Sequence, residues 1–368
     1  MKYCKNYLKI SILTALLMIS QVYAADICVE NSTQLYLFLS IADSNNQDDH
    51  IKIATGSYPI KVPPFTYDAS ETQETFDLKI SGGWTTFAGN PCGQQLATSN
   101  FDTVLDGEDE NLILSIEMAG HANLEISNLF FFNGNGPGGV GGALRIDYPT
   151  GTDGEVLIEN NLFKSNTGNS ATALWIDIAN TTTVRNNTFF ENHAMSHIIR
   201  INSGSYGTYF TNNTVLSNTN SNSVPQTAVY LQTPAPSQVF VANNVLWDND
   251  DSDLSIFGSG DSYFKNNDYQ SLGSAESSIE EFSGNFTLDP QFQPIGPLNT
   301  QIPLITSPLV NAGIKNPTLV GIPPDFDETW YVGDKDVRGN DRIIDGRIDI
   351  GAYEISVASD IIFENGFE

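Results

Sequence analysis

Five short segments of the sequence share a pattern in which apolar residues alternate with polar or aromatic ones. The first is Leu144–Asp147, and the others begin at Leu174, Ile199, Val229 and Leu254. Because successive side chains of a β-strand point to opposite faces, the second and fourth positions of each segment would point outward together. Parallel stacking would place them in two outward columns, one of Arg145, Trp175, Arg200, Tyr230 and Ser255 and one of Asp147, Asp177, Asn202, Gln232 and Phe257.

These outward columns contain the side chains with which proteins bind sugars. Indole and phenol rings stack on sugar rings, and carboxylate, amide and guanidinium groups hydrogen-bond to sugar hydroxyls. We therefore predict a glycan-binding surface, in which the rings of Trp175 and Tyr230 are open to the ligand. The alternative is an ordinary solvated sheet face, on which the arginines pack against their aromatic neighbours. The predicted ligand-binding residues are Arg145, Trp175, Arg200, Tyr230, Asn202 and Gln232.

Asp147 and Asp177 are candidate catalytic residues. On adjacent coils their carboxylates would lie about 5 Å apart, a separation that suits a retaining glycosidase. The alternatives to glycan binding are therefore a polysaccharide lyase or glycoside hydrolase, and a structural spacer or adhesin without a glycan site. Whether the protein is an enzyme stays open at this point.

An acidic run offers hard oxygen ligands that could hold calcium. It contains Asp248, Asp250, Asp251 and Asp253, without the spacing of an EF-hand. A solvated turn is the alternative interpretation. We expect no required cofactor, with calcium at this run as the candidate metal.

The segments that carry the outward columns belong to a repeat marked by an apolar residue, any residue and an asparagine. The marker asparagines are Asn128, Asn160, Asn186, Asn212, Asn243 and Asn266. A period near 25 residues with asparagine at fixed turns is typical of a β-solenoid. We predict an all-β, right-handed parallel β-helix in which these asparagines form one column, with Phe163 and Phe189 buried beneath it.

Both ends of the solenoid need a cap. Residues 31–42 show helical periodicity, with Ser32 or Thr33 as the expected N-cap. After Tyr269 the repeat fades into Pro- and Gly-rich segments, which we interpret as the last coils and an irregular C-terminal cap. Residues 25–355 are thus predicted to form one β-helix domain, followed by a tail at 356–368.

The N-terminus has the features of a signal peptide. Lys2, Lys5 and Lys9 precede a short apolar stretch, and small residues lead up to Ala24. We expect residues 1–24 to be removed and the protein to be secreted or held at the cell surface, with the periplasm as an alternative. In such an oxidising compartment Cys28 and Cys92 are expected to form a disulfide.

The chain is strongly acidic, with a net charge of −28. Removal of the three signal-peptide lysines leaves 13 basic and 44 acidic residues, so the mature charge is 13 − 44 = −31. Nucleic acids and anionic membranes are poor partners for such a protein, and a polyuronate would need bridging cations. No later stretch could span a membrane. We expect a monomer that binds a glycan or another cell-surface molecule.

Four C-terminal motifs resemble those of the choice-of-anchor Q proteins, which are secreted bacterial β-helices. The motifs are Asp289–Phe292, Ser307–Gly313, Asp336–Gly339 and Asp349–Glu354. The resemblance extends to Ile80–Trp84 and implies a pectin-lyase-like fold and a surface or secreted location, without a particular activity. The Trp-Ile-Asp-His motif of pectate lyases has Ile178 in place of histidine here.

Overall fold

The structure, a computed structural model, describes residues 25–61, 63–87, 90–96, 102–149, 154–222, 226–275, 278–295, 300–314 and 332–355. The predicted signal peptide and the tail at 356–368 lie outside these residues.

Most of the described chain winds through three parallel β-faces. Face 1 contains Ala25–Val29, Asp49–Ala54, Leu78–Phe87, Leu124–Ser127, Glu155–Glu159, the second halves of Leu174–Arg185 and Ile199–Thr211, Gln238–Ala242, Asp261–Lys265 and Ser278–Ser283. Face 2 contains Phe65–Asp68, Leu114–Glu117, Leu144–Asp147, the first halves of the same two long strands, Thr227–Gln232, Ser252–Phe257 and Leu272–Ala275. Face 3 contains Gly56–Pro59, Thr103–Asp106, Phe130–Phe132, Leu162–Lys164, Thr188–Phe190, Thr214–Leu216, Val245–Trp247 and Asp268–Tyr269. This is the predicted parallel β-helix.

Smaller elements extend these faces. Four short parallel strands follow face 3 at Asn135–Val140, Thr167–Ser170, His193–Ala194 and Thr219–Asn220. Two pairs of the named strands are antiparallel: Asn90–Gln95 with Leu78–Phe87, and Phe292–Ile295 with Thr300–Pro303.

The interior is filled by apolar side chains that repeat from coil to coil. Phe131, Phe163 and Phe189 stack with successive ring centroids 4.7 Å apart, and all three are fully buried. This spacing equals the separation of hydrogen-bonded strands, so the rings of neighbouring coils lie in direct contact. The prediction that Phe163 and Phe189 are buried is confirmed.

The marker asparagines form the predicted column, since the strand pairings align each one with the next. Each adopts a left-handed backbone conformation, with φ between 53° and 58°, which asparagine tolerates better than most residues. The asparagine that follows carries the hydrogen-bonded ladder. Asn187, for example, donates from its backbone nitrogen to Oδ1 of Asn213, and Asn213 does the same to Asn244. A second ladder joins Asn166, Asn192, Asn218 and Asn249.

A helix at Ser32–Ala42 packs against the N-terminal coils and buries Leu35 and Leu39. A second short helix lies at Ala69–Thr72. The expected N-cap at Ser32 or Thr33 is wrong, because Asn31 has the extended backbone and its Oδ1 accepts a hydrogen bond from the nitrogen of Gln34. Asparagine is as favourable there as serine, and the sequence alone did not separate them.

The C-terminal segment is irregular, as expected, but it lies along the side of the coils. Marker asparagines hold it: Nδ2 of Asn186 donates to the carbonyl of Val332, and Nδ2 of Asn243 donates to that of Ile314. Its apolar residues, including Ile348, cover a stack of outward rings on face 1. The stack consists of Tyr209, Phe240 and Tyr263, with centroids 5.0 and 4.8 Å apart. The segment thus closes an apolar strip that would otherwise face water.

The expected disulfide joins Cys28 to Cys92, with Cα atoms 5.6 Å apart. It ties the first strand to the antiparallel strand Asn90–Gln95 across 64 residues.

Thiol titration of the unfolded, unreduced protein should therefore find almost no free thiol from these two residues. Reduction should lower the free energy of unfolding by about 2–4 kcal/mol, because the unfolded chain loses a cross-link. Urea denaturation with and without reductant measures the difference. A Cys28→Ser/Cys92→Ser double variant as stable as the oxidised protein would contradict the expectation.

Candidate functional site

The outward columns exist on face 2 in the predicted register. Arg145 is paired with Trp175, Trp175 with Arg200, and Arg200 with Tyr230. The neighbouring column runs from Asp147 through Asp177, Asn202 and Gln232 to Phe257. Face 2 therefore brings all six predicted ligand-binding residues together.

The first column is a stack of alternating charge and aromatic ring. The guanidinium carbon of Arg200 lies 4.8 Å from the ring centroid of Trp175 and 5.2 Å from that of Tyr230. Nε1 of Trp175 donates to Oδ1 of Asp147 at 3.2 Å. As a result Trp175 is only 9% exposed. The predicted open rings are not what the structure shows, because Arg200 lies against both Trp175 and Tyr230. Phe257 also stacks on Tyr230, so the rings are packed within the face, as in the alternative interpretation.

The two candidate catalytic carboxylates lie on adjacent coils and are engaged within the face. Asp147 accepts hydrogen bonds on both oxygens, from Nε of Arg145 at 2.6 Å and from Trp175. Asp177 accepts from Nδ2 of Asn202 at 2.6 Å. Proton transfer to or from a sugar would require Asp147 to release one of these donors.

A cavity of about 700 Å³ opens where the outward columns reach smaller side chains. Ser255 and Gly273 form part of its floor, and Tyr230 and Phe257 stack beside it with centroids 4.9 Å apart. His197 packs on Tyr230 at 4.7 Å, and burial lowers the pKa of His197. Stacked rings beside polar side chains fit one apolar sugar face and its hydroxyls.

Sequence analysis placed Phe257 in the second outward column without naming it as a ligand-binding residue, and it did not assign His197 to this site. The signal that could have found the cavity is the fall in side-chain size along the first column, from Tyr230 to Ser255. The polar residues that line the cavity include Gln226, Ser252, Ser271 and Asp251.

The acidic run is held by hydrogen bonds between coils. Oδ2 of Asp253 accepts from the backbone nitrogens of Gln270 and Ser271, both at 2.8 Å. Asp250 and Asp251 likewise accept from backbone nitrogens of other coils, and Asp248 accepts from a serine hydroxyl. The described part of the chain contains no group of three or more acidic, histidine or cysteine residues arranged to hold a metal. These carboxylates have a structural role at their turn.

A second cavity, of about 710 Å³, lies on the N-terminal coils of face 1. Three ion pairs lie along this region: Lys52–Asp26 at 2.7 Å, Lys79–Glu125 at 2.6 Å and Arg185–Glu159 at 2.7 Å. Lys52, Lys79 and Arg185 therefore each already have a carboxylate partner.

An Asp–His–Ser arrangement lies beside this cavity, and sequence reasoning did not find it. Nδ1 of His50 is 3.4 Å from Asp26, and Nε2 of His50 is 2.7 Å from Oγ of Ser81. Burial, with nearby lysine charges, lowers the pKa of His50 to about 4, so its ring is neutral at neutral pH. Ser81, however, is 1% exposed and accepts a hydrogen bond from Nε1 of Trp84 at 2.9 Å. A nucleophile must reach its substrate, so this arrangement is better explained as a structural hydrogen-bond chain.

Comparison with known proteins identifies no relative. No protein-family model, no curated protein and no solved structure matches the chain. The helices in the described part of the chain are all too short or too polar to cross a bilayer. The function must therefore be inferred from the site itself.

Proposed function

We propose that this protein is a secreted or cell-surface β-helix that binds glycans through the outward columns of face 2. The observation that carries the proposal is the cavity beside Tyr230 and Phe257, where stacked rings adjoin a polar floor. The two rings give the wall apolar area, and the lining serine, threonine and glutamine side chains offer hydrogen bonds. This combination fits the two kinds of surface that a sugar ring presents.

Binding is supported over catalysis by the state of the candidate carboxylates. Asp147 and Asp177 are both hydrogen-bonded to other members of the outward columns. The cavity lies downstream of them, at Tyr230 and beyond. A lyase or hydrolase would need a positioned acid or base at the bound sugar. Of the candidate acids and bases that line the cavity, Asp251 accepts a hydrogen bond from the backbone nitrogen of Gln226, and His197 donates from Nδ1 to the carbonyl of Thr227.

The resemblance to choice-of-anchor Q proteins supports the surface or secreted location in this proposal. Two of the motifs that carry the resemblance contribute Asp336, Asp349 and Glu354 to the buried contacts of the C-terminal segment. These motifs thus have a clear structural role in this chain, separate from the outward columns. We expect residues 1–24 to be absent from the mature protein.

Tyr230→Ala should weaken oligosaccharide binding by about 1–3 kcal/mol, since it removes the ring against which Phe257 and His197 pack at the wall of the cavity. A glycan array with the purified mature protein identifies the ligand, and calorimetry measures the affinity. Repeating the array with added calcium tests the candidate metal at the acidic run.

Tyr206→Ala is the matched control, because Tyr206 is 69% exposed and does not line the cavity. It should leave affinity unchanged. If a ligand is found and neither Tyr230→Ala nor Phe257→Ala alters its affinity, the binding site lies elsewhere. Loss of turnover on Asp177→Asn, with binding retained, would favour the enzyme alternative instead.

A further inference from the structure

Arg200 differs from the other arginine of the outward columns in its partner. Arg145 donates from Nε to Asp147, two residues along the strand, at 2.6 Å. At the same register Arg200 faces Asn202, whose Oδ1 accepts from Nε of Arg200 at 3.3 Å. The aspartate of the first pair is thus replaced by a neutral amide in the second. Among the described residues, Arg200 has no carboxylate partner.

Four of the six arginines in the described structure pair with a carboxylate, and Arg200 and Arg347 do not, although the chain has 44 acidic and 16 basic residues. Arg200 is also held in place, because Trp175 and Tyr230 lie against its guanidinium and Asn202 binds its Nε. A guanidinium has five N–H donors, so most of those of Arg200 have no protein acceptor in the described structure. Fixed, half-exposed donors in a planar fork are suited to an anionic group.

We propose that Arg200 recognises one anionic group, a carboxylate or a sulfate ester, on a glycan whose next sugar stacks in the cavity beside Tyr230. This inference rests on the proposed glycan-binding function. Position 200 and position 255 are two strand spacings apart, about 10 Å, which leaves room for neighbouring sugars. Tyr230 lies between them in the column and contacts both the guanidinium and the cavity.

The surroundings of Arg200 restrict the ligand to a single charge. Asp147 and Asp177 lie upstream in the outward columns, and Asp251 lines the cavity downstream. A polyanion would place further charges beside these carboxylates, and like charges at short range repel. A glycan with one acidic sugar among neutral ones would pair that acid with Arg200 and place only neutral sugars beside the neighbouring aspartates.

The experiment compares four trisaccharides that differ only in charge: one with a single hexuronic acid, its carboxyl-reduced neutral counterpart, a singly sulfated counterpart and an all-uronate counterpart. Wild-type protein should bind a singly charged ligand at least tenfold more tightly than the neutral one, in line with a charge-assisted pair. Arg200→Gln should abolish that preference, so that the singly charged and neutral ligands bind within twofold of each other. Arg347→Gln is the matched control, because it makes the same change of charge at an exposed arginine outside the outward columns and the cavity, and it should change affinity less than twofold.

Asn202→Asp is a second, independent variant, which recreates the Arg145–Asp147 pair at Arg200 while keeping every cation and ring. It should also abolish the preference, with circular dichroism confirming the fold. The uronate and sulfated ligands are compared in both variants. The one whose affinity falls in Arg200→Gln and Asn202→Asp carries the group that Arg200 recognises. Tighter binding of the all-uronate ligand would overturn the proposal.

The two proposals fail in different ways. If neutral and singly charged ligands bind equally, and Tyr230→Ala abolishes both, glycan binding stands and the role of Arg200 is overturned. If no sugar binds, the glycan function fails, and sodium sulfate titration followed by the NMR signal of the Arg200 Nε–H group decides the anion site. A saturable shift that Asn202→Asp removes would support it, and no shift would overturn it.

Discussion

Asn213→Ala should lower the free energy of unfolding by about 3–5 kcal/mol, a loss caused by buried polar groups left without partners. Asn213 is fully buried, and its Oδ1 accepts from both the backbone nitrogen and Nδ2 of Asn187. Its own Nδ2 donates to the carbonyl of Val184 at 2.8 Å and to Oδ1 of Asn244 at 3.2 Å. Alanine supplies none of these groups at this fully buried position.

The neighbouring residue provides the matched control, since Asn212 is equally buried and has the same side chain. Its backbone has φ 55°, a region that glycine enters without strain. Its side chain makes only long hydrogen bonds, to the carbonyl of Asp349 and from Nδ2 of Asn243, both at 3.4 Å. Asn212→Gly should therefore cost no more than about 1 kcal/mol. Urea denaturation of both variants measures the difference. Equal losses would show that the ladder contributes no more than the turn does.

The repeat itself was predictable because the constraint recurs in every coil. A left-handed turn residue and a laddered amide are needed at the same place each time, so asparagine appears in register along the sequence. The division of labour between Asn212 and Asn213 was not predictable, since both positions carry the same residue. Only the backbone angles and hydrogen bonds separate the two roles.

The position of the C-terminal segment could not be predicted from the sequence pattern. Its sequence has no repeat, and its position is set by contacts with residues more than 100 positions earlier, such as Asn186 with Val332. The outward rings of Tyr209 and Phe240 need an apolar cover, but nothing in the local sequence shows which later segment supplies it. Irregularity was therefore predictable, and placement was not.

The outward columns were predicted in the correct register because alternation along each strand fixes which side chains point out. What alternation cannot give is how neighbours in a column arrange their side chains. Trp175 was expected to be open, yet Arg200 lies on its ring. The Asp26–His50–Ser81 contacts join positions on three strands, and no spacing in the sequence marks them.

Three carboxyl groups and a guanidinium are buried together where the C-terminal segment packs on the solenoid. Asp336, Asp349 and Glu354 are at most 2% exposed, and Arg342 is fully buried. Arg342 donates to the carbonyls of Asp349 and Gly351 at 2.7 Å, and its Nη1 lies 3.7 Å from Glu354. One buried cation cannot balance three carboxylates, and Arg338 approaches Asp336 only to 3.8 Å.

Burial therefore raises the pKa of Glu354 from 4.5 to about 8, although the charge of Arg342 opposes the shift. Between about pH 4.5 and 8 the folded protein therefore keeps the proton on Glu354, whereas the unfolded chain has lost it. Below about pH 4.5 both states are protonated and the stabilisation is complete. It is lost progressively as the pH rises through 8, because deprotonation places another charge in the cluster. Asp349 is shifted in the same direction by burial, so its pKa is also raised.

Glu354→Gln should remove much of this pH dependence, since glutamine keeps an oxygen for the backbone nitrogen of Asp349 and never ionises. We expect the wild-type protein to lose a few kcal/mol of stability relative to the variant between pH 6 and 9. His50 and His197, whose pKa values are lowered by burial, destabilise the fold only toward lower pH, so they do not mask the effect. Asp345→Asn, an exposed change of the same charge in the same segment, should stay parallel to wild type. If urea denaturation across this range gives the same curve for Glu354→Gln as for wild type, Glu354 is already ionised in the folded protein, and Arg342 outweighs the effect of burial.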